Sequence, residues 1–145
     1  MHESGVEGAY GSGRMSRQRL LIARVAASMP GAFTIDALCS AVRENDGSTG
    51  VATVYRAVAV LLTEGWLERV GERDGHALLA RCPVGPRHHH HVVCDECGRV
   101  EATECPVVEA PGHATSASFV ITRHEVTLYG LCPQCAAEAS AEGVR

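Results

Sequence analysis

Lysine is absent from this chain: all thirteen basic residues are arginine, set against seventeen acidic ones, for a formal net charge of −4. The acidic excess lies in the second half, where residues 83–145 hold four Arg against eight carboxylates, while residues 1–82 hold nine of each. Such a chain is no indiscriminate binder of polyanions, and nucleic-acid contact has to come from a local arginine patch. No apolar run approaches the ~20 residues of a membrane-spanning helix. Glycine-rich Met1–Gly13 lacks the apolar stretch of a secretory signal, so the expected compartment is the cytoplasm, where thiols stay reduced. No internal repeat is visible.

Against these absences stand seven cysteines and eight histidines in 145 residues. Two Cys-x-x-Cys pairs, Cys94/Cys97 and Cys132/Cys135, are separated by residues 98–131. Each pair brings two sulfurs to one ion, and two such hooks complete a closed tetrahedral zinc site. Disulfides would leave one of the seven cysteines over, and a thioredoxin-like redox motif usually comes singly. The run His88-His89-His90-His91 is surplus to a four-cysteine site, which suggests a protein that reads metal as well as folding around it.

The fold class expected is α+β. Residues 1–13, with Gly5, Gly8, Gly11 and Gly13 among polar residues, read as a disordered tail. A first helix is expected from Ser16 to about Ser28, with Leu20, Leu21, Ala23, Val25 and Ala27 apolar and Pro30-Gly31 ending it. Thr34 is the expected N-cap of a second helix through Arg43, burying Ile35, Leu38, Cys39 and Val42. A third helix, capped near Ser48 or Thr49, carries Val51, Val54, Val58, Leu61 and Leu62 on one face and closes at Gly65. Two strand-like runs follow, Trp66–Val70 and Ala77–Cys82, and Asp74-Gly75 between them is a hairpin signal. This is the outline of a winged helix-turn-helix over residues 14–82. Residues 83–87 read as a hinge. Residues 88–145 form a small zinc-stapled α/β domain of short β-runs (His89–Cys94, Arg99–Ala102, Phe119–Thr122, Glu125–Tyr129) and a last helix over 134–141.

An extended His88–Val93 points His88 and His90 one way and His89 and His91 the other, so one strand can serve two metal sites. Each face needs two more ligands. The candidates are Glu101, Glu104, Glu109, His113 and His124 downstream, and Glu68, His76 and Cys82 in the hairpin. On the third helix, the run Thr53-Val54-Tyr55-Arg56 puts Tyr55 and Arg56 opposite the apolar stripe. There an arginine can hold guanine through two donors and a tyrosine ring can pack on a thymine methyl. Arg14, Arg17 and Arg19 are candidate phosphate contacts. A zinc hydrolase or deaminase is disfavoured. Catalytic zinc keeps an open water position, whereas ligands here are over-supplied, and no deaminase-type His-x-Glu precedes Cys132-Pro133-Gln134-Cys135. A zinc-storage protein would have no use for a helix–wing module.

Gln18-Arg19, Ala52-Thr53-Val54-Tyr55-Arg56, the histidine run, Cys94-Asp95-Glu96-Cys97-Gly98 and Leu128-Tyr129-Gly130-Leu131-Cys132-Pro133-Gln134-Cys135 together resemble the ferric uptake regulator family, over about residues 14–136. Cys82 stands at the end of the wing, where iron sensors of that family commonly carry a carboxylate, and so points to the zinc uptake regulator branch. The resemblance implies a homodimeric, metal-dependent transcriptional repressor and no enzyme. Its expected partner is double-stranded DNA with an inverted-repeat operator, with no membrane and no small-molecule substrate. Zinc is the expected cofactor, one structural and one or two regulatory ions per chain, acting as corepressor of zinc-homeostasis genes. Iron, nickel or peroxide sensing is the alternative within the family; a cysteine in the sensing shell favours zinc. Matched by position, Cys94, Cys97, Cys132 and Cys135 are the structural site. Glu68, Cys82, His89 and His91 match the hinge sensing site, and His88, His90, Glu109 and His124 a further site near the dimerisation domain. Thr53, Tyr55, Arg56, Arg17 and Arg19 are the expected DNA contacts.

The stretch in which the family carries an amphipathic dimerisation helix contains Pro111-Gly112 and few large apolar residues. Proline inside a helix costs about 3 kcal/mol, so a helix there is short, broken or displaced. Cys105, Glu104 and His113 stand as alternatives to Glu109.

Overall fold

The computed structural model describes residues 6–82, 84, 87–105, 119 and 122–143. Three helices come first, α1 (Arg17–Ser28), α2 (Ile35–Asn45) and α3 (Val51–Thr63). Side-chain oxygens start the first two: Ser16 accepts from Arg19 N and Thr34 from Ala37 N, each at 3.2 Å. Neither expected residue caps α3. Ser48 donates its N–H and hydroxyl to Asp46 Oδ1 at 2.9 and 2.6 Å, and Thr49 is buried, so the N-cap is Gly50 without a side-chain bond. Gly65 does close α3. Its φ of +69° lets Gly65 N reach Leu62 O and Trp66 N reach Leu61 O, the paired bonds of a Schellman end.

Ile22, Leu38, Val42, Val54, Val58, Leu61 and Leu67 are buried in one core with Trp66. The apolar faces are narrower than the sequence pattern proposes. Ala27 on α1 and Val51 and Leu62 on α3 are exposed, because the buried arcs pass instead through Ala23/Ala26 and Val54/Ala57/Leu61.

The expectation of a disordered tail fails for residues 6–13. Residues 1–5 lie outside the described ones, but Ala9 and Tyr10 are 0% and 2% exposed within the helical core. Tyr10 donates its hydroxyl to Arg19 O at 2.9 Å, and burial pushes its pKa up to about 12. Glycines hid this anchor from composition. Tyr10→Ala is expected to cost about 3–5 kcal/mol of stability, as for other buried aromatics; a denaturant midpoint unmoved by the change would return the segment to a tail.

The wing is β1 (Glu68–Arg73) paired antiparallel with β2 (His76–Ala80). Asp74 and Gly75, at φ 51° and 79°, form the two-residue turn, whose positive φ values suit the right-handed twist of the strands. Both strands sit nearer the turn than the sequence pattern places them, so Glu72 and Arg73 are ladder residues. A bulge between Arg69 and Gly71 puts Val70 and Gly71 both in buried positions. Phe33 pairs with Leu79 and ties the wing to the start of α2.

Of the expected hinge, Pro83, Gly85 and Pro86 lie outside the described residues. Beyond it, β3 (His90–Cys94) is the centre of a three-stranded sheet, with β4 (Val100–Thr103) antiparallel on one side and β5 (Thr127–Gly130) parallel on the other. Helix α4 (Pro133–Glu142) follows, with Cys132 as N-cap and Pro133 in its first turn. Of the strand expected over Phe119–Thr122, residues 120 and 121 lie outside the described ones, and Phe119 and Thr122 are in no strand. A second small core joins the halves: Val70, Leu78 and Ala80 of the wing pack with Val93 of β3.

Candidate metal centres

Three sets of side chains converge, each with ligand atoms within 4.8 Å of one another. The first is Cys94, Cys97, Cys132 and Cys135. A tight turn delivers the first hook: Gly98 N bonds Cys94 O at 3.0 Å, and Gly98 takes φ +74°. The second hook sits at the start of α4, next to the end of β5, which pairs with β3 through Cys94 and Gly130. Sulfurs about 2.3 Å from one tetrahedral ion are about 3.8 Å apart; Cys97 Sγ and Cys132 Sγ are 3.8 Å apart. Backbone N–H groups of Cys97 and Cys132 aimed at Cys94 Sγ lower its pKa to about 6, while the bond from Cys132 raises that of Cys135. Those N–H groups favour the anionic form of the Cys94 sulfur, the form that binds metal.

The second set is Glu68 on β1, Cys82 after β2, and His89 and His91 at and within β3. His89 Nε2 lies 3.2 Å from Cys82 Sγ and 3.3 Å from Glu68 Oε2. Its Nδ1 bonds the Arg87 carbonyl, which only accepts, so Nδ1 carries a proton, and in the neutral ring Nε2 presents a bare lone pair. His91 Nε2 is 3.4 Å from Glu68 Oε2, off the line of a hydrogen bond, and is buried without a partner. Burial depresses the His91 pKa, which keeps the ring neutral, and raises that of Cys82. A buried, neutral, unpartnered imidazole nitrogen aimed at a carboxylate and a thiol fits a cation between them. A nitrogen and an oxygen each about 2.0 Å from one tetrahedral ion are about 3.3 Å apart, close to the observed spacings.

The third set is His88, His90, His124 and Cys105. His124 Nε2 lies 3.2 Å from His88 Nε2 and 3.1 Å from Cys105 Sγ. The alternation along the strand thus separates the four histidines into two pairs as the sequence pattern proposes. Of the candidates for the fourth member, one of the alternatives to Glu109 is found beside them. Glu109, with His113, lies outside the described residues, and Cys105 stands with the three histidines. Its signal in the sequence was a thiol left over from the two hooks. His90 is oriented differently from His89: Val126 N donates to its Nδ1 at 3.1 Å, so the neutral ring carries its proton on Nε2, which is buried without a partner. Burial also lowers its pKa. To bind through Nε2, this ring has to give up that proton or turn.

The remaining candidates stand apart from these sets. Glu101 pairs with Arg99 at 2.7 Å, and Glu104 and His76 are exposed. A cleft of about 690 Å³ between wing and sheet opens onto His90, His91, Glu68 and His124.

On α3, Tyr55 and Arg56 are exposed and Thr53 is half-buried, with Arg56 Nη2 3.5 Å from Thr53 Oγ1. Tyr55 reaches Asp36 at 3.4 Å. Arg17 is exposed, whereas the Arg19 guanidinium donates to Arg14 O at 3.1 Å and lies 5.2 Å from the centre of the Tyr10 ring. Among the described residues no helix is long and apolar enough to cross a membrane.

Residues 11–129 match the family model described as the ferric uptake regulator family. The chain belongs to that family. The ferric uptake regulation protein of Legionella pneumophila is 34% identical over 105 residues, covering 71% of this chain and 76% of that protein. The zinc uptake regulation protein of Escherichia coli K12 is 27% identical over 124 residues, covering 84% and 72%. A solved structure, a zinc uptake regulator complexed with zinc and DNA, is similar at a TM-score of 0.69 and 26% identity, covering 88% of this chain and 86% of that one. As a member of the ferric uptake regulator family the protein is a metal-responsive transcriptional regulator and not an enzyme.

Proposed function

We propose that this ferric uptake regulator family member is a cytoplasmic, zinc-responsive repressor that binds an inverted-repeat operator as a homodimer, with zinc as corepressor. The observation that carries the reading is Cys82 in the set with Glu68, His89 and His91. One thiolate, two imidazoles and a single carboxylate make a soft, four-ligand shell that suits zinc better than the harder, six-coordinate ions. Ferric uptake regulation proteins are among the relatives, and iron is the second reading; the thiol argues against it.

Zinc, when bound, supplies the positive centre that Glu68, Cys82, His89 and His91 lack between them. Glu68 and Cys82 flank the wing while His89 and His91 belong to the β3 side, so the full shell exists only when wing and sheet are close. The proposed signal is that closeness. Cys94, Cys97, Cys132 and Cys135 hold a structural zinc in this reading. His88, His90, His124 and Cys105 offer a further, weaker site, since His90 has to release or move a proton first.

Exposed Leu128 and Leu131, together with an α4 that buries none of its residues in a single chain, support a second copy covering this end. A two-fold dimer matches an inverted repeat, each α3 entering one major groove. Arg56→Ala is expected to lower operator affinity by about 1–3 kcal/mol and to relax preference at one base pair per half-site. Arg17→Ala should weaken operator and scrambled DNA alike and flatten the salt dependence. Titrations of both DNAs at several salt concentrations check this; equal loss on the two DNAs for Arg56→Ala would remove it from the base-reading set.

A further inference from the structure

Strand β1 touches the zinc-hook half of the molecule along its whole length. At one end Glu68 belongs to the set with Cys82, His89 and His91. Two residues on, Val70 O accepts from Thr127 Oγ1 at 3.0 Å. Next, Glu72 N donates to Tyr129 Oη at 2.7 Å. At the far end the Arg73 guanidinium reaches Cys94 O and Asp95 O, at 3.4 and 3.3 Å, in the turn that carries the first hook. The same turn is held from the other side by Ala32 N, which donates to Gly98 O at 2.7 Å.

Two glycines make this approach possible. A Cβ on Gly71 would lie 2.8 Å from Tyr129 Oη and 3.1 Å from Thr127 Cγ2. A Cβ on Gly31, itself at φ +72°, would collide with the Gly98 carbonyl. Beneath the row, Val70, Leu78 and Ala80 are buried against Val93. The wing is therefore fitted to β5 and to the cysteine turn, and one strand connects the two metal-ligand sets.

We propose that β1 is a clasp through which the four-cysteine set and the Glu68/Cys82/His89/His91 set strengthen each other, with Tyr129 as its positioning residue. The inference rests on the metal-responsive reading above. Tyr129 is not a ligand. Its hydroxyl holds the Glu72 amide, and so fixes where β1 lies and where Glu68 stands relative to His89 and His91. Since coupling between binding sites is reciprocal, a filled wing-side set also holds the cysteine turn more firmly through Arg73 and Tyr129.

The test is zinc competition against a chromophoric chelator, using the full chain as wild type, Tyr129→Phe, Gly71→Ala and the double variant. Tyr129→Phe keeps the ring and removes one hydrogen bond; it is expected to weaken the exchangeable zinc about five-fold. Gly71→Ala wedges the hydroxyl off the strand and should cost roughly ten-fold or more. The double variant should be no weaker than Gly71→Ala alone, because the hydroxyl that the new Cβ strikes is gone. Release of the cysteine-held zinc to excess chelator should be slowed by a filled wing-side set in wild type, and not in Tyr129→Phe. Affinities of both single variants within about two-fold of wild type would overturn the clasp, and so would fully additive losses in the double variant. A wild type that binds no exchangeable zinc at all would instead overturn the metal-responsive reading itself.

Discussion

Cys94→Ser is expected to abolish the tightly held zinc and to unfold residues 88–142 as a unit. The reason lies in what else holds that part together. Among its described residues the apolar ones buried are Val93 and Cys94, and α4 buries none. Val93 packs mainly on wing residues, so among the described residues the sheet has almost no core of its own. Cys94 is where the remaining constraints meet. Its Sγ accepts from Cys132 N at 3.3 Å, its N–H bonds Arg99 O, and its carbonyl takes Gly98 N. Structural zinc in small domains contributes about 10–16 kcal/mol in apparent terms, as much as a whole domain's net stability of about 5–15 kcal/mol. Serine offers an oxygen of high pKa in place of a sulfur whose pKa is lowered to about 6. The helical core around Leu38, Val58 and Leu61 should persist, because it does not depend on the hooks. Metal analysis together with amide hydrogen exchange checks both halves at once. A zinc-free Cys94→Ser protein whose β3 amides stay protected would sink the structural assignment.

The parts of the fold legible in the sequence are those written in local periodicity or turn chemistry. Thr34 reads as a cap because a short side-chain oxygen can meet the N–H three residues on. Asp74-Gly75 reads as a hairpin because few pairs accept two positive φ angles. The histidine run reads as two faces because a strand alternates with period two, and the ring pairs His88/His90 and His89/His91, with centroids 4.7 and 4.9 Å apart, follow that rule. What escaped was long-range. Nothing in glycine-rich residues 6–13 announces that Tyr10 docks on α1, since a lone aromatic carries no period. Cys105 is one of three alternatives beside His124, and spacing alone does not choose among them. The bulge at Val70 and the bare approach of Gly71 to Tyr129 are contacts between strands far apart in sequence. The caps of α3 misled for a related reason: Ser48 has the right chemistry, but Asp46 competes for it at shorter range.

Cys82→Ser and His89→Ala are each expected to eliminate zinc-dependent operator binding while the cysteine-held zinc and the fold remain. Loss even of a residue that only supports a ligand weakens metal binding by about 10–100-fold, and loss of a ligand itself should exceed that. Without Cys82 the set keeps one carboxylate and two imidazoles, a harder and three-membered shell in which zinc loses its advantage. Without His89 it loses a ring whose Nδ1 proton is held by the Arg87 carbonyl, leaving Nε2 toward the set, and with it the imidazole that lies between Cys82 and Glu68. Either way Glu68 no longer shares a centre with β3, and the population with wing and sheet together falls by the binding energy lost. Substitution of Cys105 should act differently. It belongs to the set in which His90 must first release or move a proton, so Cys105→Ser should leave the first zinc-dependent step in place and alter only a later one at higher zinc. Operator titrations against buffered zinc, run beside zinc content per chain, separate these cases. Normal repression by Cys82→Ser at ordinary zinc, or loss of the first step in Cys105→Ser, would move the sensing role from the wing-side set to the other face of β3.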